Sequence, residues 1–336
     1  MRLRLPVPNP FPNHSFPLQV EPRLTTHTSD QIDPYHMDKA RVRASFSRAA
    51  RYYDAAAVLQ TEVRARMLER LDPIKIAPAA ILDAGCGTGA GSEALRQRFP
   101  QARLYALDIA MGMLHMTRQR FSGWRRWWKA LRGAAAPELL SGDIEQLPVA
   151  SASMDMLWSN LAVQWCNDLD AAFMEAQRVL RPGGLFIFST FGPDTLKELR
   201  AASAADPEHV HVSRFIDMHD IGDALVRAGF SAPVLDVERF VLTYDNVVDL
   251  MRDLKAIGAH NAADGRHRGL QGRGFLRQLT ERYEAFRLQA DAGEALGKLP
   301  ATYEVVYAHA WRAPEKLTSP DGAMPITLHR KRQVGA

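Results

Sequence analysis

The chain has 336 residues, 46% of them hydrophobic, enough for a sizeable core in one large domain or two small ones. Its 42 basic and 38 acidic side chains leave a net charge of +4, compatible with an acidic partner but too slight to argue for nucleic acid. Two cysteines, Cys86 and Cys166, exclude a disulfide framework and a zinc cluster and fit a reducing cytoplasm, and no apolar run approaches the ~20 residues of a transmembrane segment.

Residues 1–36 hold seven prolines and no apolar periodicity, which reads as a disordered leader without the apolar core of a secretory signal. A targeting or docking tail is the other use of such a stretch. Met37 opens the first segment with a folded pattern and is a second candidate start. A domain is expected over 37–314. It begins with a helical cap, 38–75, in which Val42, Phe46, Ala49 and Ala50, then Leu59, Val63, Met67 and Leu71, recur at helical spacing. From residue 79, short apolar runs alternate with helical stretches: AAILDAG, SEALRQRF, ARLYALD, MGMLHMTRQR, MDMLWSN, DLDAAFMEAQRVL and GLFIFST. That alternation predicts βαβ units, an α/β core of mostly parallel sheet with helices on both faces, over 79–242 and 300–313. RPGG, at 181–184, is expected to turn the chain from helix into strand.

Two stretches stand apart from this series. RQRFSGWRRWWKALRG, 118–133, carries six basic residues, three tryptophans and no acid, within an insert over 121–138. It suits a membrane surface, an acidic protein or RNA, or it is an insertion whose tryptophans cap the preceding helix. Residues 245–290 read as a helical lid broken by HNAADGRHRGLQGRG, whose His260 and His267 lack metal-ligand spacing, so no metal site is expected. TYEVVYAHAW, 302–311, is the last strand, and 315–336 is a polar tail.

The chemistry concentrates at strand ends. ILDAGCGTGAG, 81–91, follows one predicted strand and opens a helix, and Gly85, Gly87 and Gly89 allow a tight turn and close backbone approach to a ligand. With Ala90 the spacing also fits a dinucleotide fingerprint. Asp83, two residues before the first glycine, would repel a pyrophosphate and suits a cationic amino group. Asp108 ends the next strand, 25 residues after Asp83, where a carboxylate can take both hydroxyls of a ribose. Asp143 follows a third strand and can accept from an exocyclic amine, with Ile144 against a flat base. Together these predict a nucleoside-type site.

The order LDAGCGTG, LD, GDIEQLP, DMLWSN and RVLRPGG resembles the class I methyltransferases. That resemblance implies a Rossmann-like, mostly parallel seven-stranded sheet and S-adenosyl-L-methionine as cofactor. Tyr53, Gln60, Cys86, Ile109, Met113 and Asn160 are then expected to hold it, beside the glycines and the three acids. Ser159-Asn160-Leu161-Ala162 lacks the Asn- or Asp-Pro-Pro-aromatic loop of many amine methylators. No general base is apparent, as suits an acceptor that is already anionic.

More specifically, WSNLAVQWCNDL and LKAIGA, with VRASFSRAARYYDAAAVLQ, FGPDTLKELR, SRFID and LPATYEVVYAHAW, resemble the malonyl-acyl carrier protein O-methyltransferases of biotin synthesis over roughly residues 38–312. The resemblance implies methylation of a malonyl carboxylate carried on acyl carrier protein, with malonyl-coenzyme A a possible acceptor, in the cytoplasm. Asn160, Gln164, Trp165, Arg214, Lys255 and Tyr303 are the acceptor-pocket candidates, and Cys166 reads as a small apolar neighbour. FGPDTLKELR and the PATY segment also resemble methyltransferase-like protein-arginine hydroxylases that assemble respiratory complex I. A scaffold with a vestigial site is the non-enzymatic alternative.

Overall fold

The computed structural model describes residues 2–4, 35–122, 135–204, 215–258, 273–290 and 297–314. A strand enclosed on both faces is mostly apolar, and β2 (Ala80–Ala84) is buried at every position, Asp83 being its one polar residue. It lies between β3 (Arg103–Asp108) and β5 (Met154–Asn160) and is parallel to both. Outward from β3 comes β4 (Glu138–Ser141), and outward from β5 comes β6 (Leu180–Phe191), again parallel. The chain therefore runs β2, β3, β4 in one direction and then crosses back to the far side of β2. That reversal opens a crevice between the carboxyl ends of β2 and β5, the usual ligand position in such sheets. The sheet continues antiparallel through β8 (Leu299–Arg312) to β7 (Phe230–Tyr244).

One three-residue strand enlarges the expected seven-stranded sheet to eight. That strand, β1 (Arg2–Arg4), from the stretch read as leader, pairs antiparallel with the otherwise free edge of β7, Leu3 opposite Leu242. The rest of that leader, most of the basic insert and the polar tail lie outside the described residues.

RPGG departs from its expected place. The preceding helix ends at Val179, and β6 begins at once at Leu180. Met154 pairs with Leu180 and Met156 with Leu185, so the intervening residues of β6 bulge out of the ladder around Gly183 at φ +78°. The turn is absorbed into the strand.

Helices cover both faces. On one, α3 (Val58–Arg70) inserts Leu59, Val63 and Met67 against Trp158, with α4 (Ala90–Arg98), α7 (Lys197–Ser203), α9 (Val247–Ala256) and α10 (Arg273–Tyr283) beside it. On the other, α6 (Leu169–Val179) and α8 (Met218–Arg227) pack Phe173, Ala176, Ile221 and Leu225 onto Phe186 and Phe188. Among the described residues no helix is long and apolar enough to cross a membrane.

The cap is a separate layer over the crevice. α1 (Lys39–Ala49) crosses α5 (Met111–Arg120) so closely that a Cβ on Gly112 would stand 2.5 Å from the Ser47 carbonyl oxygen. Its start is fixed by Asn167, which accepts from the Met37 amide at 2.6 Å and donates to the Met37 carbonyl at 3.1 Å. The short α2 (Tyr53–Ala56) leads on to α3.

Candidate active site

The glycine loop leaves β2 through three residues at positive φ, Gly85 at +81°, Gly87 at +56° and Gly89 at +82°, the last capping α4. At Gly85 the need is steric as well as conformational, because a Cβ there would lie 2.2 Å from that of Ala162. At Gly87 a Cβ would meet nothing within 4 Å, so the backbone faces open space. The loop is tied to the next strand end by Asp108, whose Oδ2 accepts from the Gly87 amide at 2.9 Å and Oδ1 from the Ala110 amide at 2.8 Å. Each oxygen keeps a lone pair for a ligand hydroxyl.

Two cavities share Tyr53, Gly85, Gly87 and Asn160 and so form two ends of one cleft. The first, about 630 Å³, has Asp108, Ile109, Met113, Asp143 and Ile144 on its walls, with Phe46 of α1 above. The second, about 760 Å³, holds Asp83, Cys86 and Gln60. All the expected cofactor residues except Gly89 line one end or the other. Gly89 instead presses on Thr117, its position for a Cβ only 2.7 Å from that side chain.

The acids are perturbed by their surroundings. Burial, with the like charge of Asp108 and against the Ser92 hydroxyl that donates at 2.5 Å, pushes the Asp83 carboxyl up to about 7. Burial lifts Asp108 to about 6, opposed by its two backbone amides. Asp143 is half-exposed and accepts from Lys39 at 3.1 Å, and Lys39 also pairs with Glu145. Burial alone would lower the Lys39 pKa, but Glu145 and its neighbours hold it raised. Burial pushes the Cys166 thiol up to about 12 and raises Cys86 as well, so neither is a nucleophile near neutral pH.

Of the acceptor candidates, the structure brings Asn160 and Trp165 to one cavity and leaves the other described ones apart. Asn160 sits at the junction of the two ends, its amide donating to the Gln60 carbonyl at 3.2 Å and its oxygen accepting from Ser189 at 3.0 Å. Trp165 stands edge-on to Phe46, with ring centroids 5.1 Å apart, at the Asp108 end of the cleft. Gln164 lines a separate cavity of about 400 Å³ with Phe188, Thr190 and Phe215. Tyr303 is buried in the sheet core beside Phe191, and Lys255 is exposed on α9; neither lines a cavity described above. Arg214 lies outside the described residues.

Two contributors had no place in the expectation. Lys39 is 104 residues from its partner Asp143, too far for any local spacing to reveal. Arg64 lines the Asp83 end of the cleft, and here a signal existed: it follows Gln60 by four residues, one helical turn on the same face.

A switch-point crevice with a glycine loop, a ribose-type acid and a base-type acid at successive strand ends defines an S-adenosylmethionine-dependent methyltransferase of class I. The residues fit that cofactor: Asp108 has free lone pairs, Gly87 leaves its flank open, and the Trp158 indole N–H is buried at the Asp83 end without a partner. A family described as a methyltransferase domain matches residues 82–188. The YcgJ protein of Bacillus subtilis shares the fold, with a TM-score of 0.50 at 15% identity, covering 75% of this chain and 99% of its own.

Malonyl-acyl carrier protein O-methyltransferase of Methylovorus sp. (strain MP688) is 64% identical over 294 residues, 88% of this chain and 96% of the relative. The enzyme of that name from Gallionella capsiferriformans (strain ES-2) is 52% identical over 295 residues, 88% of this chain and 98% of the relative. The chain belongs to the malonyl-acyl carrier protein O-methyltransferase family.

Proposed function

We propose that this protein transfers a methyl group from S-adenosylmethionine to the free carboxylate of malonyl-acyl carrier protein, giving the methyl ester and S-adenosylhomocysteine, an early step of biotin synthesis. The 64% identity to a relative of that name, over nearly its whole length, carries the reading. It also decides between the two family resemblances in the sequence.

S-adenosylmethionine supplies an electrophilic methyl group on a positively charged sulfur. The chain's own part is to hold two reactants in line and keep water away, which can supply up to ~7–11 kcal/mol of the barrier. Asp108 orients the ribose, Asp143 and Ile144 the base, and Asp83 the amino group. Tyr53, shared by both ends of the cleft, closes over the junction where Asn160 is held by Ser189 and the Gln60 carbonyl. An acceptor that arrives as a carboxylate has no proton to lose.

A carrier protein rich in acidic residues suits the outer face of the cap. There Arg41, Arg43, Arg48 and Arg51 stand exposed, and α1 carries no acid. The carrier thioester is the proposed acceptor, with malonyl-coenzyme A as the other candidate, in the cytoplasm. The test is transfer of a labelled methyl group from S-adenosylmethionine to each acceptor, with rescue of a biotin auxotroph lacking its own methyltransferase as the cellular counterpart. Failure to label either acceptor by protein that binds the cofactor normally would refute the proposal.

A further inference from the structure

A chain that stays extended alternates its side chains between two faces, so three consecutive residues do not all meet one ligand site. At the end of β5 they do: Asn160, Leu161 and Ala162 all line the cleft. The alternation breaks at Leu161, whose φ is +50°. Four non-glycine residues among those described are left-handed, Ala152, Leu161, Leu196 and Ala232, and of these only Leu161 lies on the cleft. A leucine is strained there, because its Cβ crowds the following carbonyl oxygen, so the surrounding structure has to hold it in place. The conformation matters to both neighbours. Asn160 stays at the junction of the two ends of the cleft, and Ala162 turns against the glycine loop, where a Cβ on Gly85 would lie 2.2 Å from its own.

Both polar groups of the Leu161 backbone are held. Its amide donates to the Ser189 carbonyl at 3.1 Å and to the Ser189 hydroxyl at 3.0 Å, and that hydroxyl donates to the Asn160 side-chain oxygen at 3.0 Å. Its carbonyl accepts from Gln164 Nε2 at 2.8 Å. The Gln164 amide fits only one way round. A carbonyl offers no proton, so the nitrogen faces Leu161, and the oxygen is left to accept from the Thr190 hydroxyl, at a long 3.5 Å. Ser189 and Thr190 are successive residues of β6, so one strand end braces the turn through both. Gln164 lines neither end of the cleft; it lies on the separate cavity of about 400 Å³. We propose that Gln164 is a positioning residue for methyl transfer, which holds the Leu161 backbone left-handed from behind the wall and so sets where Asn160 and Ala162 stand at the reacting centre. It acts through the hydrogen bond it donates, without touching either reactant, and this takes it out of the acceptor pocket.

The inference rests on the methyl-transfer reading above, and the experiment separates the two. Initial rates of methylation of malonyl-acyl carrier protein, with calorimetry of S-adenosylhomocysteine, would compare the full chain with Gln164→Met and Gln164→Glu. Met keeps the length of the side chain and removes the donor; Glu keeps its shape and turns an acceptor toward the Leu161 carbonyl. Misplacing bound reactants predicts a fall in kcat of about ten- to a hundredfold in both variants. KM for the carrier and the affinity for S-adenosylhomocysteine should stay within about threefold, and the retained affinity also shows that the variants are folded. Leu161→Gly supplies the second comparison, because glycine takes a positive φ without strain. In that background Gln164→Met should change kcat by less than about threefold, whatever Leu161→Gly costs by itself. A raised KM at unchanged kcat would return Gln164 to the acceptor pocket and overturn the inference. Unchanged kcat in both single variants, or the same fall in the Leu161→Gly background as in the full chain, would overturn it too. Should Leu161→Gly bind no S-adenosylhomocysteine, the division between KM and kcat in the single variants decides alone. If the unsubstituted chain transferred no methyl group, the reading of function would fall, and the inference with it.

Discussion

At the scale of single residues, the proposed cofactor site has two carboxyls placed where ionisation is costly. Both ionise at an ordinary value of 3.8 in an unfolded chain but at about 7 (Asp83) and about 6 (Asp108) in the fold, chiefly through burial. The folded state therefore holds more protons between those values. Their contribution to stability is fully present below about pH 4 and is lost as pH rises through 6 to 7. A ligand ammonium and ribose hydroxyls need the ionised forms, so affinity for S-adenosylhomocysteine should move the opposite way. With Asp83 ionised in only about a tenth of molecules at pH 6, binding there should be roughly tenfold weaker than at pH 8. In Asp83→Asn, binding should be weaker throughout and its remaining pH dependence centred near the Asp108 value. A calorimetric pH series with the same midpoint in both proteins would count against this assignment. Asp108→Ala removes an acceptor for two hydroxyls and orphans the Gly87 and Ala110 amides. Two charged hydrogen bonds at ~1.5–3 kcal/mol each predict at least a hundredfold loss of affinity, read by the same titration. These acids were legible in the sequence because each follows an apolar run that could only be a buried strand. Lys39 and the acceptor groups were not, because their partners or pockets come from distant segments: Tyr303 points into the core, and Lys255 stays on an outer helix face.

At the scale of elements, the loop after β2 and the wall after β5 act as one unit. Gly85 and Ala162 are 77 residues apart in sequence, yet no side chain fits between them. Gly85→Ala meets two penalties: the left-handed backbone, about 1–2 kcal/mol, and overlap with the Ala162 methyl. The variant should melt several degrees lower and bind cofactor poorly. Adding Ala162→Gly removes the overlap but not the backbone cost, so the double variant should recover part of both losses, and Ala162→Gly alone should be mild. If thermal melting of the double variant matched that of Gly85→Ala, the contact would not be the cause. The element order was readable from periodicity because both sheet faces are covered and the strands are apolar runs. The placement of RPGG was not, because the same Pro-Gly-Gly chemistry that makes a turn also makes a bulge, and the choice is set by β5 alongside. The eighth strand was hidden for a related reason: Arg2–Arg4 carries no apolar pattern and owes its extension to the free edge of β7.

At the scale of the whole molecule, the cleft is roofed by the N-terminal helices. Its floor belongs to the sheet, but Lys39, Val42, Phe46 and Tyr53 above the nucleoside end, and Gln60 and Arg64 above the other, belong to the cap. What fastens α1 is a limited set of contacts: half-buried ion pairs from Lys39, the Asn167 clasp on Met37, the Phe46–Trp165 edge contact, and two small apolar clusters, one around Val42 and Met37 and one where Ala50 meets Met113. These clusters are small beside the main core into which α3 is packed, and surface ion pairs contribute at most about 1 kcal/mol each, so local opening of α1 should cost less than global unfolding. A ligand held between cap and sheet must leave before the cap opens. At a hundred times its dissociation constant it stabilises the closed form by about 2.7 kcal/mol. Arg41, Arg43, Arg48 and Arg51 are exposed on the cap, giving trypsin sites whose cleavage follows the open population when opening is fast. Saturating S-adenosylhomocysteine should therefore slow cutting at these arginines up to about a hundredfold. Lys39→Ala should speed cutting a few-fold in the free protein and leave most of the ligand's protection intact. Mass spectrometry of the early fragments is the readout. Cleavage at the four arginines at one rate with and without bound ligand would mean that the cap is not what closes the cleft, and that the contacts from α1 to Asp143 and Trp165 serve packing alone.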